Sequence, residues 1–152
     1  MPQKEEHIPE FWYYDACALE ENKDVFKDVL RKKPTMAVVS HLSLGEAYGN
    51  CCHKSDELRE SFLELIDKLR AIKRLKIVGN DGTSKIMEEI KDIIDRISET
   101  DLMHISTAIR QKCQKFVTCD HDFCGLTADK KRDIAQIAKD NSSLTEFTIL
   151  EK

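Results

Sequence analysis

The stretch FVTCDHDFCG, residues 116–125, runs from a short apolar, β-branched segment straight into Asp120 and Asp122. Its first half has the length and composition of a buried strand. The carboxylates that follow have no cation within the segment to neutralise them. In an open parallel sheet, functional side chains gather just beyond the C-terminal strand ends and at the starts of the helices that follow. The stretch therefore predicts a sheet of that kind, with Asp120 and Asp122 at its working edge.

The flanking chain agrees. FWYYD (11–15) predicts a strand ending near Asp15, followed by a charged helix over about 20–32 that Pro34 closes. MAVV (36–39) is a second strand, and SHLSLGEAYGNCCHK (40–54) a helix in spite of two glycines. From Ser55 to about Arg74, Leu58, Phe62, Leu65, Ile66, Leu69 and Ile72 recur at spacings of three and four, which predicts a long amphipathic helix. LKIVG (75–79) gives a third strand. After the loop NDGTSK comes a helix built on Ile86, Ile90, Ile93, Ile94 and Ile97. Ser98 followed by Asp101 reads as a capping box with Asp in place of the usual Glu or Gln, opening a helix with the apolar stripe Leu102, Ile105, Ile109 and Cys113. KFVTC, TADKKRDIAQIAKD and EFTIL then read as strand, helix and terminal strand. Apolar strands alternating with helices predict an α/β domain whose mostly parallel sheet is covered on both faces.

The totals narrow the class. A chain of 152 residues suits one domain, expected over 11–152 behind a loose polar arm over 1–10. With 24 basic and 28 acidic residues the net charge is −4, which excludes a globally basic nucleic-acid binder and leaves only local contacts. Six cysteines in a chain of this length and ordinary composition do not call for a disulfide framework. There is no apolar signal region, and no run approaches the roughly 20 residues of a membrane span. These features favour a reduced, soluble, cytoplasmic protein.

Five acids map to element ends: Asp15, Glu46, Asp101, Asp120 and Asp122. Two carboxylates about 4 Å apart repel by about 4 kcal/mol at an effective dielectric near 20, so such a cluster needs a cation. Oxygen-only donors suit Mg²⁺ or Mn²⁺, and the matching chemistry is hydrolysis of a phosphodiester, for which the ion would activate water and neutralise charge on the phosphate. Singly, each acid has a blander reading. Asp101 serves as a helix cap; Glu46, opposite Leu44, Ala47, Tyr48 and Cys51 on the helical wheel, faces water; Asp122 shapes a turn. Their placement, rather than their number, favours the cluster.

The ordered pieces YYDACAL, SLGEAYG, DLMHISTAI and VTCDHDF resemble the PIN-domain ribonucleases, in particular the VapC-like toxins of toxin–antitoxin pairs. The resemblance covers nearly the whole domain and implies a three-layer α/β/α sandwich. It implies that Asp15, Glu46, Asp101 and Asp120 form an acidic quartet, with Asp122 a fifth member. Asp15, Asp101, Asp120 and Asp122 would hold Mg²⁺ or Mn²⁺, and Glu46 would complete the site or orient water. Thr118 matches the hydroxyl residue often found before the last acid, where it would orient a carboxylate or water. The resemblance further implies an RNA substrate, an antitoxin protein partner and a homodimer. Ala16 departs from the hydroxyl residue that often follows the first aspartate, and NDGTSK carries no assignable motif.

Other features have two readings each. KLRAIKRLK (68–76) contains five basic residues, and its Lys68, Arg70 and Arg74 either bind RNA phosphates or form a solvated helix face. His104, His121, Cys119 and Cys124 lack a paired C-x-x-C spacing for structural zinc, and His104, one turn after Asp101, is either beside the acidic cleft or at the surface. Trp12, Tyr13 and Tyr14 read as core rather than as base-stacking groups. DVFKDVL and the long helix offer apolar surface for self-association. The alternative to a ribonuclease is a non-catalytic PIN-like module that binds RNA or protein through the same surface.

Overall fold

The computed structural model describes residues 9–21, 25–31, 35–123 and 125–152. The N-terminal arm lies almost wholly outside the described residues, as do Pro34 and Cys124. In chain order the elements are β1 (Glu10–Tyr14), α1 (Ala16–Glu21), α2 (Val25–Val29), β2 (Thr35–Ser40), α3 (His41–Lys54), α4 (Asp56–Ala71), β3 (Leu75–Val78), α5 (Ser84–Ile93), α6 (Glu99–Arg110), β4 (Lys115–Thr118), a 3-10 turn (His121–Phe123), α7 (Ala128–Ser142) and β5 (Thr148–Glu151).

The strands form one sheet in the order β3-β2-β1-β4-β5, and every pairing is parallel. Alternate residues of each central strand feed opposite cores, as the period of two requires. Tyr13, Val38 and Phe116 pack under α5, α6 and α7 with Ile90, Ile105, Ile109 and Ile134. Trp12, Tyr14, Ala37, Val39 and Val117 pack under α1 to α4 with Leu19, Phe62 and Leu69. The result is the α/β/α sandwich expected, with Trp12, Tyr13 and Tyr14 all in the core.

Three boundaries differ from the sequence reading. The single helix expected over 20–32 starts earlier, as α1, because Asp15 caps it: Ala18 N–H donates to Asp15 Oδ1 (3.1 Å) and Leu19 N–H to Asp15 O (3.1 Å). Helix α4 stops at Ala71 rather than Arg74. Lys73 N–H donates to Arg70 O and Arg74 N–H to Leu69 O, with Lys73 at φ 57°, which is a Schellman closure without glycine. Helix α6 ends in the same way through Lys112 (φ 59°) and Cys113. Leu58 and Ile72, placed on the apolar stripe of α4, are each 39 % exposed.

The unassigned NDGTSK loop has a structural task. Asn80 Oδ1 accepts from Leu42 N–H (3.2 Å) while its Nδ2 donates to Thr107 Oγ1 (3.0 Å), tying the start of α3 to α6. The loop thereby fixes the two helices that carry Glu46 and Asp101.

Candidate active site

Chain order reverses direction across the sheet between β1 and β4, since β2 and β3 lie on one side of β1 and β4 and β5 on the other. The C-terminal ends of strands at such a switch point form a crevice. A cavity of about 140 Å³ lies there, lined by Asp15, Ala16, Cys17, Glu20, Glu46, Asn50, Asp101, His104 and Asp120.

Asp15 follows β1 and is 2 % exposed. Its Oδ1 accepts from Ala18 N–H and from the Cys17 thiol (3.0 Å), and its Oδ2 from the Thr118 hydroxyl. Burial raises its pKa above the ordinary carboxylate value. Thr118 Oγ1 also accepts from Asp120 N–H (3.0 Å), so one hydroxyl sets both the first acid and the backbone of the last. The Cys17 Sγ accepts from Cys119 N–H (3.1 Å), a further tie between α1 and the end of β4.

Asp101, Asp120 and Asp122 each present a carboxylate oxygen, and these oxygens lie within 4.8 Å of one another. The expected capping box is only half formed. Ser98 Oγ accepts from Asp101 N–H (3.1 Å), but the return bond to Ser98 N–H is made by Asp122 Oδ2 (3.1 Å). Asp101 is thus relieved of cap duty and its side chain is left for the cavity. Asp122 N–H in turn donates to Asp120 Oδ1 (3.0 Å). Burial, a proton-sharing bond with Asp122 and the charges of Asp120 and Asp122 push Asp101 upward, while the same bond holds Asp122 below its ordinary value. Two carboxylates sharing one proton, with a third beside them, fit a hard divalent cation, which would replace that proton. The oxygen-only donor set suits Mg²⁺ or Mn²⁺ equally. Among the described residues no such cluster includes a histidine or cysteine.

Glu46, on the second turn of α3, is only half-buried, yet its carboxylate is engaged on the cavity side. Its Oε1 lies 3.2 Å from His104 Nε2. Burial and the negative charges of Asp15, Glu20 and Asp120 raise its pKa. His104 is 1 % exposed, and burial lowers its pKa to about 4, so it is neutral at pH 7. Glu20 and Asn50 also line the cavity without having been singled out from sequence; Asn50 Nδ2 donates to Glu20 Oε1, and Lys54 Nζ lies 3.7 Å from Glu20 Oε2.

Lys68, Arg70 and Arg74 are not brought to the acids. They sit where α4 leads into the start of β3, with Arg74 O accepting from Ala37 N–H (2.9 Å), at the edge of the parallel sheet opposite the strand ends that carry Asp15 and Asp120. The basic groups beside the acids are others. A groove of about 430 Å³ is lined by Ile94, Asp95, Arg96, His121, Asp122, Gly125, Leu126 and Lys130. No periodicity or motif marks Arg96 and Lys130, because they meet only through the fold.

The acids make metal-free stability depend on pH in an unusual direction. Asp101, raised to about 8 when folded and about 3.9 unfolded, binds its proton more tightly in the folded state. Its contribution is present at low pH and lost as pH rises toward 8. His104 acts oppositely between about 4 and 6.5 but is neutral in both states above that. The metal-free protein is therefore expected to lose stability from pH 6.5 to pH 8, and saturating Mg²⁺ should flatten the trend. Thermal melts in chelator and in Mg²⁺ across that range measure it.

An all-parallel α/β/α sandwich with a cluster of three carboxylates at its switch point defines a class of protein fitted to a divalent cation. Residues 11–128 match the PIN domain, and the chain belongs to that family, whose members are generally nucleases. Its fold is similar to that of a chain from the VapBC2 complex of Rickettsia felis bound to a DNA fragment from its promoter, with TM-score 0.55, 19 % identity, and coverage of 76 % of this chain and 92 % of that one. It is also similar to a chain of DNA-bound VapBC from Salmonella typhimurium, with TM-score 0.51, 17 % identity, and coverage of 78 % and 93 %. At these identities the likeness is one of fold. No curated protein sequence matches the chain. No described helix is long and apolar enough to cross a membrane.

Proposed function

We propose that the protein is a ribonuclease hydrolysing RNA phosphodiester bonds with Mg²⁺ or Mn²⁺. The observation that carries this reading is the Asp101, Asp120 and Asp122 triple of a PIN domain, with oxygens within 4.8 Å of one another, Asp101 and Asp120 lining the switch-point cavity and Asp122 the basic groove. These three carboxylates would hold the cation, which when bound would supply charge neutralisation at the phosphate and activation of water. Asp15, immobilised by Thr118, Cys17 and Ala18, lines the same cavity as Asp101 and Asp120 and adds a carboxylate to it. Glu46, whose pKa is raised by burial and by the neighbouring acids, orients the attacking water and accepts its proton. Backbone phosphates approach along the groove bearing Arg96 and Lys130.

The toxin setting, an antitoxin protein partner, a homodimer and a cytoplasmic location are proposed by analogy of fold with the VapBC chains. The exposed Leu58, Leu63 and Tyr48 of α4 and α3 offer apolar surface for either protein contact.

The test is a cleavage assay on a panel of single-stranded and looped RNAs with Mn²⁺, Mg²⁺ or chelator. Metal-dependent cleavage is expected, and the double charge reversal Arg96→Glu with Lys130→Glu should weaken RNA binding and reduce the slope of log affinity against log salt by about 1–2. RNA binding with no turnover in either metal would replace the nuclease by the non-catalytic RNA-binding module. An unaltered salt slope would remove the groove.

A further inference from the structure

Behind Glu46 runs a chain of buried groups that the proposed reaction does not use directly. Tyr13 Oη lies 2.7 Å from Ser40 Oγ and 2.7 Å from His104 Nδ1, and His104 Nε2 lies 3.2 Å from Glu46 Oε1. Tyr13 and Ser40 are 0 % exposed and His104 is 1 % exposed, so each depends on these protein partners rather than on bulk water.

With Glu46 ionised and His104 neutral, counting protons sets the direction of the bonds between them and Tyr13. An ionised Glu46 only accepts, so the hydrogen must be on His104 Nε2. A neutral imidazole then has a bare Nδ1, which the Tyr13 hydroxyl must supply. Tyr13 Oη is left as an acceptor, and Ser40 Oγ, which lies 2.7 Å from it and 3.4 Å from Ser43 Oγ, donates to the nearer oxygen. Ser40 Oγ itself accepts from Ser43 N–H (3.1 Å), while Ser43 Oγ accepts from Ser40 N–H (2.8 Å) and donates to Ser40 O (3.1 Å). The capping box of α3 is thus the anchored end of the chain. The reverse tautomer would set the Nε2 lone pair against a carboxylate oxygen.

We propose that His104 is the positioning residue for Glu46, held in its Nε2–H tautomer by Tyr13 and Ser40 so that it fixes Glu46 Oε1 and leaves Oε2 to the cavity. The neutral imidazole that this requires agrees with its burial. Partners that orient an active group in this way typically change activity about 10–100-fold when removed. The consequence for catalysis rests on the nuclease reading; the bond directions do not.

The experiment uses the full-length ¹⁵N-labelled protein without metal at pH 7, with the His104 tautomer read from long-range ¹H–¹⁵N correlations, alongside Mn²⁺-dependent cleavage. Wild type should show the Nε2–H form alone. Tyr13→Phe should show mixed tautomers and a kcat about tenfold lower with KM for RNA unchanged. Glu46→Gln should shift the His104 Nε2–H resonance upfield as the charged acceptor is lost. An Nδ1–H tautomer in wild type, an unmoved resonance in Glu46→Gln, or a folded Tyr13→Phe with wild-type kcat would each overturn the proposal. Should Tyr13→Phe fail to fold, the wild-type tautomer and Glu46→Gln decide it. If the wild type cleaves no RNA, the nuclease reading falls while the two spectroscopic arms still decide the role of His104.

Discussion

Asp101→Asn is expected to lower metal-dependent turnover by about 10³-fold while leaving the metal-free protein at least as stable as the wild type at pH 8. The two effects share one cause. Asp101 lies in the first turn of α6 with its backbone N–H held by Ser98 Oγ and its carboxyl beside Asp122 and Asp120. Ionising it there is opposed by burial and by both neighbours. An asparagine amide donates to Asp122 as the protonated acid does, so the local bonds survive and the unfavourable charge disappears. The cation loses one of three donors. A buried acid whose removal weakens the fold would signify a structural cap; one whose removal spares the fold and ends catalysis belongs to a site kept under strain for function. Thermal melts at pH 8 in chelator, with cleavage rates in Mn²⁺, separate these outcomes. Loss of several degrees in midpoint together with unaltered turnover would make Asp101 a cap alone.

Phe123→Ala is expected to cost about 3–5 kcal/mol, which in a domain of this size lowers the melting midpoint by roughly 10 °C. Phe123 is 0 % exposed and meets Phe116 edge-on with ring centroids 5.0 Å apart, and Phe116 stacks on Tyr13 at 5.7 Å. Its side chain pins the 3-10 turn that carries Asp122 to the end of β4. The truncation should therefore weaken Mn²⁺ binding as well, because Asp120 and Asp122 lose the turn that aims them. Chemical denaturation gives the first quantity and a Mn²⁺ titration of the folded variant the second. Wild-type stability would show that the aromatic stack is not what seats the acids.

Much of this was legible in the sequence for a physical reason. In a parallel sheet, strand ends and helix starts are local features, so YYD, TCD and the Ser98–Asp101 pair point to the site without knowledge of the packing. The sequence reading placed each of β1 to β5 within two residues of its observed bounds, because short apolar, β-branched runs mark strands whether central and buried, as in β1, β2 and β4, or at the sheet edge and partly exposed, as in β3 and β5. Helix ends were less legible. Lys73 and Lys112 occupy the left-handed position that glycine usually marks, so nothing in the composition announces those stops. Nor did any local pattern reveal that Asp122 rather than Asp101 completes the Ser98 cap, or that His104 meets Glu46. Those contacts join residues 24 and 58 positions apart, and only the fold brings them together. Lys68, Arg70 and Arg74 illustrate the converse: a dense local cluster of charge lies at the far edge of the sheet, while Arg96 and Lys130, isolated in sequence, line the groove that contains Asp122.

The central claim is that Asp101, Asp120 and Asp122 form a divalent-cation site, and it is tested most directly without any RNA. Thermal unfolding of wild type and Asp101→Asn at pH 7 would be followed while Mn²⁺ and Mg²⁺ are titrated, with Ca²⁺ for comparison. A cation that binds only the folded state adds about 2.7 kcal/mol at a hundred times its dissociation constant, equivalent to a midpoint rise of roughly 5–10 °C. The expected result is such a rise in wild type with Mn²⁺ or Mg²⁺ and little or none in the variant. A wild type that does not respond up to millimolar metal, or a variant that responds as fully, would contradict the assignment.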